Sequence, residues 1–355
     1  MHEDPIDWSV DPDVARAETV DARLHTTAAG HALALERVFA PSWQLVNVPD
    51  PSHRIEPFTL LEGGLDEPLV LVRDGDGERV LSNVCTHRGA LVADAPSDAR
   101  GLRCRYHGRR FGLDGALGTC PGFEGAEDFP RERDHLASVE LRRVGPLRFV
   151  SIAPRLDFEA WAAPMRAALA EFEGEDLVYD PASSRAYDIE AGWAVYCENY
   201  LEGFHIPFVH PGLNAGLDFS KYTVELEPHA VRQLGVGSRG EPELRRGDGL
   251  VAEYLWLHPN LMVNVYVWGI SVNVVEPTGV GRCRVRYLRW VARPEHVGEG
   301  VGGGLDEVEL EDQEVVVSVQ RGLRSRLYPG GRFSPRHETG THHFQRLLSN
   351  ELSEG

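Results

Sequence analysis

The feature that most constrains this chain is a pair of short loops, each of which joins a cysteine to a histidine. The first loop contains Cys85 and His87, and the second contains Cys104 and His107. Each loop also contains a glycine, as tight turns often require. Two such loops at the tips of neighbouring β-hairpins can converge on one metal centre. The sequence therefore predicts a small β domain built around a metal.

Four ligands of this type allow two kinds of centre. A structural zinc would take all four on one tetrahedral ion. A Rieske-type [2Fe–2S] cluster takes two thiolates on one iron and two imidazoles on the other. Zinc fingers usually group cysteines with cysteines and histidines with histidines, whereas here each loop carries one of each. This arrangement favours the two-iron cluster, while zinc, or unrelated core cysteines and surface histidines, remain the alternatives.

The pattern of strands and helices predicts an α+β protein with a small all-β domain inserted near its front. The 355 residues suggest two domains, or one large domain with an insertion. Short strands and glycine-rich turns fill residues 41–150, after an N-terminal helical segment at 1–40. Residues 151–355 combine a strand-rich stretch with helices, of which the longest is predicted over Leu305–Leu327. This pattern predicts an antiparallel sheet with helices packed against it.

Composition excludes several classes of protein. Lysine and arginine number 36 against 55 aspartate and glutamate, a formal net charge of −19. A surface this acidic repels phosphate backbones and anionic lipid, so neither nucleic acid nor a membrane is an expected partner. No apolar stretch is long enough to span a bilayer, and the acidic segment Met1–Pro5 does not resemble a signal peptide. Five cysteines do not indicate a disulfide framework, so we expect a cytoplasmic protein.

A second group of metal-binding residue types lies between Glu202 and His210. Glu202 and His205 would share one face of a helix predicted over Glu198–Val209. His210 lies beyond Pro207, where the chain can turn back toward His205. Two neutral imidazoles and one carboxylate form the facial triad that holds Fe(II) and leaves coordination positions open. The segment therefore predicts a mononuclear iron site that needs a carboxylate from elsewhere.

The missing carboxylate is expected from the long helix near the C-terminus, with Asp312 as the first candidate and Glu311 as the second. Asp312 shares its face of the helix with a stripe of leucine and valine. An acid within an apolar stripe faces the core, where it needs a cation or a metal. Glu309 and Glu314 are expected nearer the polar side, with Glu311. For any single acid here, a solvated helix face is the alternative.

Both motifs resemble those of the Rieske non-haem iron oxygenases, in their catalytic α subunits. The pattern C-x-H followed by C-x-Y-H-G matches at positions 85–108, and E-N-Y-x-E-x-F-H-x4-H-P matches at 198–211. The resemblance implies a [2Fe–2S] cluster with the ligands Cys85, His87, Cys104 and His107. It also implies a mononuclear Fe(II) with the ligands His205, His210 and Asp312.

The resemblance implies further roles and partners. Glu202 would be a catalytic carboxylate that bridges the iron site to a cluster histidine of a neighbouring subunit, and Asn199 would lie beside the iron. The implied fold is a Rieske domain inserted in a helix-grip catalytic domain, assembled as a homotrimer. The chain has no flavin or nucleotide motif, so electrons from NAD(P)H would arrive through a separate reductase, with or without a ferredoxin. Arg109 stands where the family often has tryptophan, and is expected to alter the surface that meets the electron donor.

The substrate is indicated only by Glu202. Ring-dihydroxylating subunits usually carry aspartate at this position, whereas glutamate resembles the branch with choline, carnitine and glycine-betaine monooxygenases. The resemblance thus favours hydroxylation or oxidative demethylation of a small organic substrate by O2, such as a quaternary ammonium compound. The alternatives are an aromatic-ring dioxygenase, a Rieske electron carrier without oxygenase activity, and a helix-grip binding protein with zinc. Aromatic residues between Tyr254 and Trp268 are expected mostly in the core, with one or two at the substrate cavity.

Overall fold

A computed structural model of the chain describes residues 6–46, 48–75, 77–238, 240–245 and 247–353. Contacts divide these residues into two compact units. Trp43–Pro154 form the inserted unit, and the described residues before and after it form the main unit. The segment Met1–Pro5, from which we expected no signal peptide, lies outside the described residues. In the part of the chain described, no helix is both long and apolar enough to cross a membrane.

The inserted unit is built from short antiparallel strands. They are β1 (Gln44–Leu45), β2 (Ile55–Leu60), β3 (Glu67–Asp74), β4 (Gly77–Ser82), β5 (Leu102–Arg103), β6 (Arg110–Phe111), β7 (Ser138–Val144) and β8 (Leu147–Ser151). One sheet has the order β1-β8-β7-β4-β3-β2, and β5 pairs with β6 in a separate hairpin. The β-rich inserted domain expected from the sequence is confirmed.

The two cysteine loops project from a shared apolar core. Cys85 and Cys104 are both buried in the cluster of side chains that contains Val70, Leu81 and Phe111. Val70 and Leu81 face each other across β3 and β4, and Phe111 lies on β6. Burial of these side chains stabilises the sheet and, through it, the positions of both loops.

The main unit combines helices with a second antiparallel sheet. Its helices are α1 (Arg23–Thr26), α2 (Ala28–Ala34), α3 (Phe158–Leu169), α4 (Trp193–Tyr200), α5 (Ile206–Val209), α6 (Pro211–Gly216), α7 (Leu305–Leu323) and α8 (Thr339–Ser353). Its strands are β9 (Val178–Tyr179), β10 (Arg185–Ile189), β11 (Thr223–Glu227), β12 (Ala230–Val236), β13 (Leu250–Leu257), β14 (Leu261–Tyr266), β15 (Gly269–Gly279) and β16 (Arg282–Val291). The sheet order is β10-β16-β15-β14-β13-β12-β11, with β9 beside β16.

Buried polar contacts tie the helices of the main unit together. The Trp161 indole on α3 donates to the His258 carbonyl, at 2.8 Å. Gln320 on α7 is fully buried and uses both ends of its amide. Its Oε1 accepts from the Gly192 N–H at the start of α4, at 2.8 Å, and its Nε2 donates to the His25 carbonyl, at 3.2 Å. The α+β class with an antiparallel sheet is confirmed.

Two predicted helix boundaries are wrong. The helix expected over Glu198–Val209 is interrupted, because α4 ends at Tyr200 and α5 begins only at Ile206. Pro207 has no N–H, so it suits the first turn of a new helix and cannot extend the old one. The long helix α7 ends at Leu323, one turn before the expected Leu327.

We expect Gly269→Ala to destabilise the main unit. Gly269 has a φ of 154°, and an added Cβ would lie 2.2 Å from the Trp290 carbonyl oxygen in the neighbouring strand. The backbone at Trp290 cannot move away without a cost in free energy. We therefore expect the free energy of unfolding to fall by about 2 kcal/mol and the thermal midpoint to fall with it.

Gly279→Ala is the matched control. Gly279 lies in the same strand with a φ of 157°, and nothing lies within 4 Å of its added Cβ. Thermal melts followed by circular dichroism compare the two variants. Both share the φ strain, so any difference between their midpoints measures the cost of the close contact at Gly269. Equal midpoints would contradict the prediction.

Candidate active site

The two cysteine loops have the same backbone geometry. The N–H of Gly89 donates to the Cys85 carbonyl at 3.0 Å, and the N–H of Gly108 donates to the Cys104 carbonyl at 3.1 Å. Both glycines have a positive φ, 75° and 76°, which residues with a Cβ rarely adopt. Each turn therefore returns the chain to its hairpin while the histidine between cysteine and glycine projects from the tip.

The loops bring the four predicted ligands together. Burial, with the neighbouring Cys104 thiol, raises the pKa of Cys85. The rings of His87 and His107 lie 4.6 Å apart between centroids. The Nδ1 atom of His87 is buried and has no hydrogen-bond partner among the described residues. A buried nitrogen without a partner beside two buried thiols fits a cluster that takes two sulfur and two imidazole ligands.

A second centre forms where α4 gives way to α5 and α6. Glu202 lies in the connection, and its carboxylate accepts from the backbone N–H of His205 at 3.1 Å. The other oxygen of this carboxylate is 2.7 Å from His205 Nδ1. The i, i+3 contact expected between them exists, but a turn provides it rather than a helix. His210 immediately precedes Pro211 at the start of α6 and is buried.

Asp312 on α7 meets both histidines. Its Oδ1 lies 3.1 Å from His210 Nε2 and 3.5 Å from His205 Nε2. One ligand atom from each of the three residues lies within 4.8 Å of the others. Asn199 donates to the same Asp312 oxygen, at 2.6 Å. The two imidazoles and one carboxylate could hold one metal ion in a facial arrangement.

Glu311 has a different position from the one considered for it. Its carboxylate is 2.7 Å from Nδ1 of His210, on the far side of that ring from Asp312. Histidine ligands in metal sites commonly give their second nitrogen to a carboxylate, which fixes the ring and its tautomer. Glu202 and Glu311 occupy the Nδ1 atoms of His205 and His210, and both Nε2 atoms are left to face Asp312.

A cavity of about 80 Å³ adjoins these three residues. By the same measure one water needs roughly 10–15 Å³, so the cavity has room for a small organic molecule. Five tyrosines line it, namely Tyr196, Tyr200, Tyr222, Tyr254 and Tyr266. Tyr254 and Tyr266 confirm the expectation that one or two aromatics of the strand-rich region face the cavity, while Trp256 and Trp268 are buried in the core. The sequence analysis did not identify Tyr196 and Tyr200 as cavity residues. Their helical spacing from each other and from Asn199 was a signal that could have found them.

Glu309 also lines the cavity, although the sequence placed it on the polar side of the helix. It lies one turn before Asp312 on α7 and therefore on the same face. Its carboxylate accepts from the Tyr196 hydroxyl at 2.9 Å and from the Asn273 amide at 3.3 Å. Burial, and then the Asp312 carboxylate, raise the pKa of Glu309 to about 8. The expectation that Glu309 lies nearer the polar side is therefore wrong, because its i, i+3 spacing from Asp312 places both acids on one face of α7.

Arg109 was expected to alter the surface that meets the electron donor, but the structure buries it. It is only 3% exposed, so it cannot form part of a docking surface in this conformation. Its guanidinium lies over the rings of Phe123 and Phe129, at 4.6 Å and 5.3 Å from their centroids. These two phenylalanines provide the aromatic contacts that explain its burial.

Models of two protein families match the chain. Residues 58–130 match the model of the Rieske [2Fe-2S] domain, and residues 178–354 match that of the ring hydroxylating alpha subunit catalytic domain. The chain belongs to the Rieske oxygenases, which are oxidoreductases with a Rieske cluster and a non-haem iron. The first match resolves the choice between zinc and a two-iron cluster in favour of the cluster.

Two curated relatives span nearly the whole chain. The chloroplastic choline monooxygenase of Arabidopsis thaliana is 29% identical over 95% of this chain and 83% of its own length. The carnitine monooxygenase oxygenase subunit of Escherichia coli K12 is 28% identical over 94% of this chain and 93% of its own. The chain is therefore similar to monooxygenases in both a plant and a bacterium.

Solved structures show the same fold. The quaternary ammonium Rieske monooxygenase CntA superposes with a TM-score of 0.78 at 23% identity, over 97% of each chain. Naphthalene 1,2-dioxygenase from Rhodococcus sp. superposes with a TM-score of 0.75 at 18% identity, over 94% of each chain. The fold is thus shared by oxygenases with different substrates, so it does not choose between them.

We expect Asp312→Ala to lose the metal at the second centre and keep the first. Without the carboxylate, two neutral imidazoles alone should bind Fe(II) at least about tenfold more weakly. Iron and acid-labile sulfide per chain, measured on protein purified without oxygen, should fall from three irons to two with the sulfide unchanged. The control is Glu314→Ala, which removes an exposed acid from the same helix. Equal iron in both variants would contradict the expectation.

Proposed function

We propose that this Rieske oxygenase hydroxylates or oxidatively demethylates a small quaternary ammonium compound. The observation that carries the proposal is the cavity beside His205, His210 and Asp312, with its tyrosine walls and the carboxylate of Glu309. A quaternary ammonium has no N–H to donate, so it is recognised by aromatic faces and by opposite charge. The tyrosines and Glu309 supply both kinds of contact.

Glu309 gives the cavity its charge preference. Burial first, and the Asp312 carboxylate second, raise the pKa of Glu309 to about 8. A cation held against the tyrosines would favour the ionised carboxylate and gain a charge partner away from water. No lysine or arginine is among the residues described around the cavity, so nothing there would pair with a substrate carboxylate. These charges support a simple cation such as choline over a zwitterion such as carnitine.

The named activities of the relatives support the same class. The similar plant protein is a choline monooxygenase, and the similar bacterial protein is a carnitine monooxygenase subunit. We also propose the ligands of the two centres. Cys85, His87, Cys104 and His107 hold the [2Fe–2S] cluster, and His205, His210 and Asp312 hold Fe(II). Iron bound there would activate dioxygen, and the cluster would supply single electrons.

The remaining side chains orient the iron ligands. Asn199 holds one Asp312 oxygen, and Glu202 fixes the ring of His205. Glu202 is also proposed as the catalytic bridge to a cluster histidine of a neighbouring subunit in a homotrimer. A solved quaternary ammonium Rieske monooxygenase of the same fold has been described in terms of inter-subunit electron transfer, which supports an oligomer. Electrons are proposed to come from NAD(P)H through a separate reductase or ferredoxin. The cytoplasmic location stays a prediction.

An aromatic-ring dioxygenase is the second candidate. Tyrosine walls accept an aromatic ring as well as an ammonium. A hydrocarbon substrate would offer Glu309 no charge partner, however, so its carboxylate would keep only the hydrogen bonds from Tyr196 and Asn273. The candidate predicts a dihydrodiol product, whereas the main proposal predicts an aldehyde or a demethylated amine. A pure electron carrier would have no use for the second centre.

We expect Glu309→Gln to weaken discrimination in favour of cations. The probes are choline and its neutral carbon isostere, in which a tert-butyl group replaces trimethylammonium. With a surrogate reductase, the wild-type protein should prefer choline in kcat/KM, and the variant should lose about tenfold of that preference. Carnitine, assayed alongside, should be the poorer substrate of the wild-type protein.

The control for this experiment is Glu307→Gln, an exposed acid on the same helix. Iron and sulfide must be equal in all three proteins, so that any change belongs to recognition. If Glu309→Gln keeps the wild-type preference for choline, Glu309 does not recognise the positive charge of the substrate. Dihydrodiols from naphthalene, with no turnover of any ammonium compound, would favour the second candidate.

We expect Glu202→Gln to slow electron transfer between centres without emptying either. An amide still accepts a hydrogen bond at its oxygen, but it carries no charge and cannot bridge two imidazole N–H groups. In single turnover with a reduced cluster, substrate and O2, cluster reoxidation should slow at least about tenfold. Glu225→Gln, an exposed acid on β11, is the control. Loss of iron from Glu202→Gln would show instead that this residue serves only to orient His205.

A further inference from the structure

Arg109 is a buried cation at the base of the second cysteine loop. It directly follows the turn glycine Gly108 and is 3% exposed. No aspartate or glutamate in the described part of the chain forms an ion pair with it. Its Nη1 donates to the Thr86 hydroxyl at 3.1 Å, and its Nε is buried without a hydrogen-bond partner among those residues. A guanidinium that leaves water is usually paired with a carboxylate, whereas the contacts described for Arg109 are one hydroxyl group and two phenylalanine rings.

The guanidinium lies next to the proposed cluster ligands. Thr86, which it contacts, is the residue between Cys85 and His87. Phe123 contacts both groups, since its ring centroid is 4.6 Å from the guanidinium carbon and 5.3 Å from that of His87. The Thr86 hydroxyl donates onward to the Asp134 carbonyl, at 2.7 Å. The neighbours are therefore neutral, and they leave the positive charge uncompensated.

We propose that the buried charge of Arg109 raises the reduction potential of the [2Fe–2S] cluster. Reduction adds one electron to the cluster, taken from the reduced flavin or iron–sulfur centre of the redox partner, which is thereby oxidised by one electron. No bond or proton is exchanged. A nearby fixed cation stabilises the more negative, reduced cluster, and does so strongly where water is excluded. Arg109 acts on the cluster electrostatically, through space, and is not one of its ligands.

The inference rests on the proposed cluster ligands but not on the substrate. Midpoint potentials of full-length, cluster-loaded protein would be measured by dye-linked spectroelectrochemistry. Arg109→Met removes the charge, Arg109→Trp places there the residue common in the family, and Arg109→Lys keeps the charge. Arg110→Met removes an equal charge from the adjacent, exposed position. Iron, sulfide and the EPR signal of the reduced cluster establish loading in each variant.

We expect both neutral variants to have lower potentials, by at least a tenfold change in the reduction equilibrium constant, which is 59 mV for a one-electron couple. Arg109→Lys and Arg110→Met should stay close to the wild-type value. The proposal is overturned if Arg109→Met matches the wild type, or if Arg109→Lys falls as far as Arg109→Met. It is also overturned if neither neutral variant assembles a cluster, because Arg109 would then be needed for folding. A loaded protein that oxidises no ammonium compound would refute the proposed function and leave this inference intact.

Discussion

The hydrogen bonds that two carboxylates accept from the Nδ1 atoms of His205 and His210 are the contacts on which the second centre depends. Glu202 reaches its histidine across a turn, and Glu311 reaches the other from α7. Each bond turns its imidazole so that Nε2 faces Asp312. Without these hydrogen bonds the rings would be free to rotate. The two Nε2 atoms and the Asp312 carboxylate would then no longer face a common metal position. The break after α4 serves the same end, because a continuous helix would carry His205 and His210 away from each other.

The first centre uses backbone rather than carboxylates. Paired turns closed by Gly89 and Gly108 repeat one geometry, and both rest on a core that includes their own cysteines. Loop shape is therefore set by backbone hydrogen bonds and by burial of the cysteines. The second centre, by contrast, collects acids whose charges repel one another, so it gains most from a bound cation. The two sites represent two ways of keeping metal ligands in place.

The sequence predicted the α+β fold from its strand and helix patterns. It grouped His205 and His210 by their spacing, and it added Asp312 because this acid lies in an apolar helix stripe and because of the family resemblance. It failed where a side chain's environment depends on distant strands. Glu309 was expected nearer the polar side of the helix, although its spacing from Asp312 puts it in the cavity with Tyr196 and Asn273. Arg109 was expected at the surface that meets the electron donor, because it stands where the family often has tryptophan. Its contacts with Phe123 and Phe129, brought close by the fold, explain its burial. Charge predicts exposure on average and misleads at functional sites.

Gln320 has a consequence for how this architecture can change. It lies about 12 Å along α7 from Asp312, at 1.5 Å per residue, and contacts neither cavity nor ligand. Yet its amide locks the axial position of α7 against the start of α4 and the carbonyl of His25. A slide of α7 by one residue would break both bonds and carry Asp312 out of register with the histidines. Redesign of the cavity by moving this helix must therefore begin at Gln320, whereas redesign by exchanging cavity side chains can leave the frame untouched.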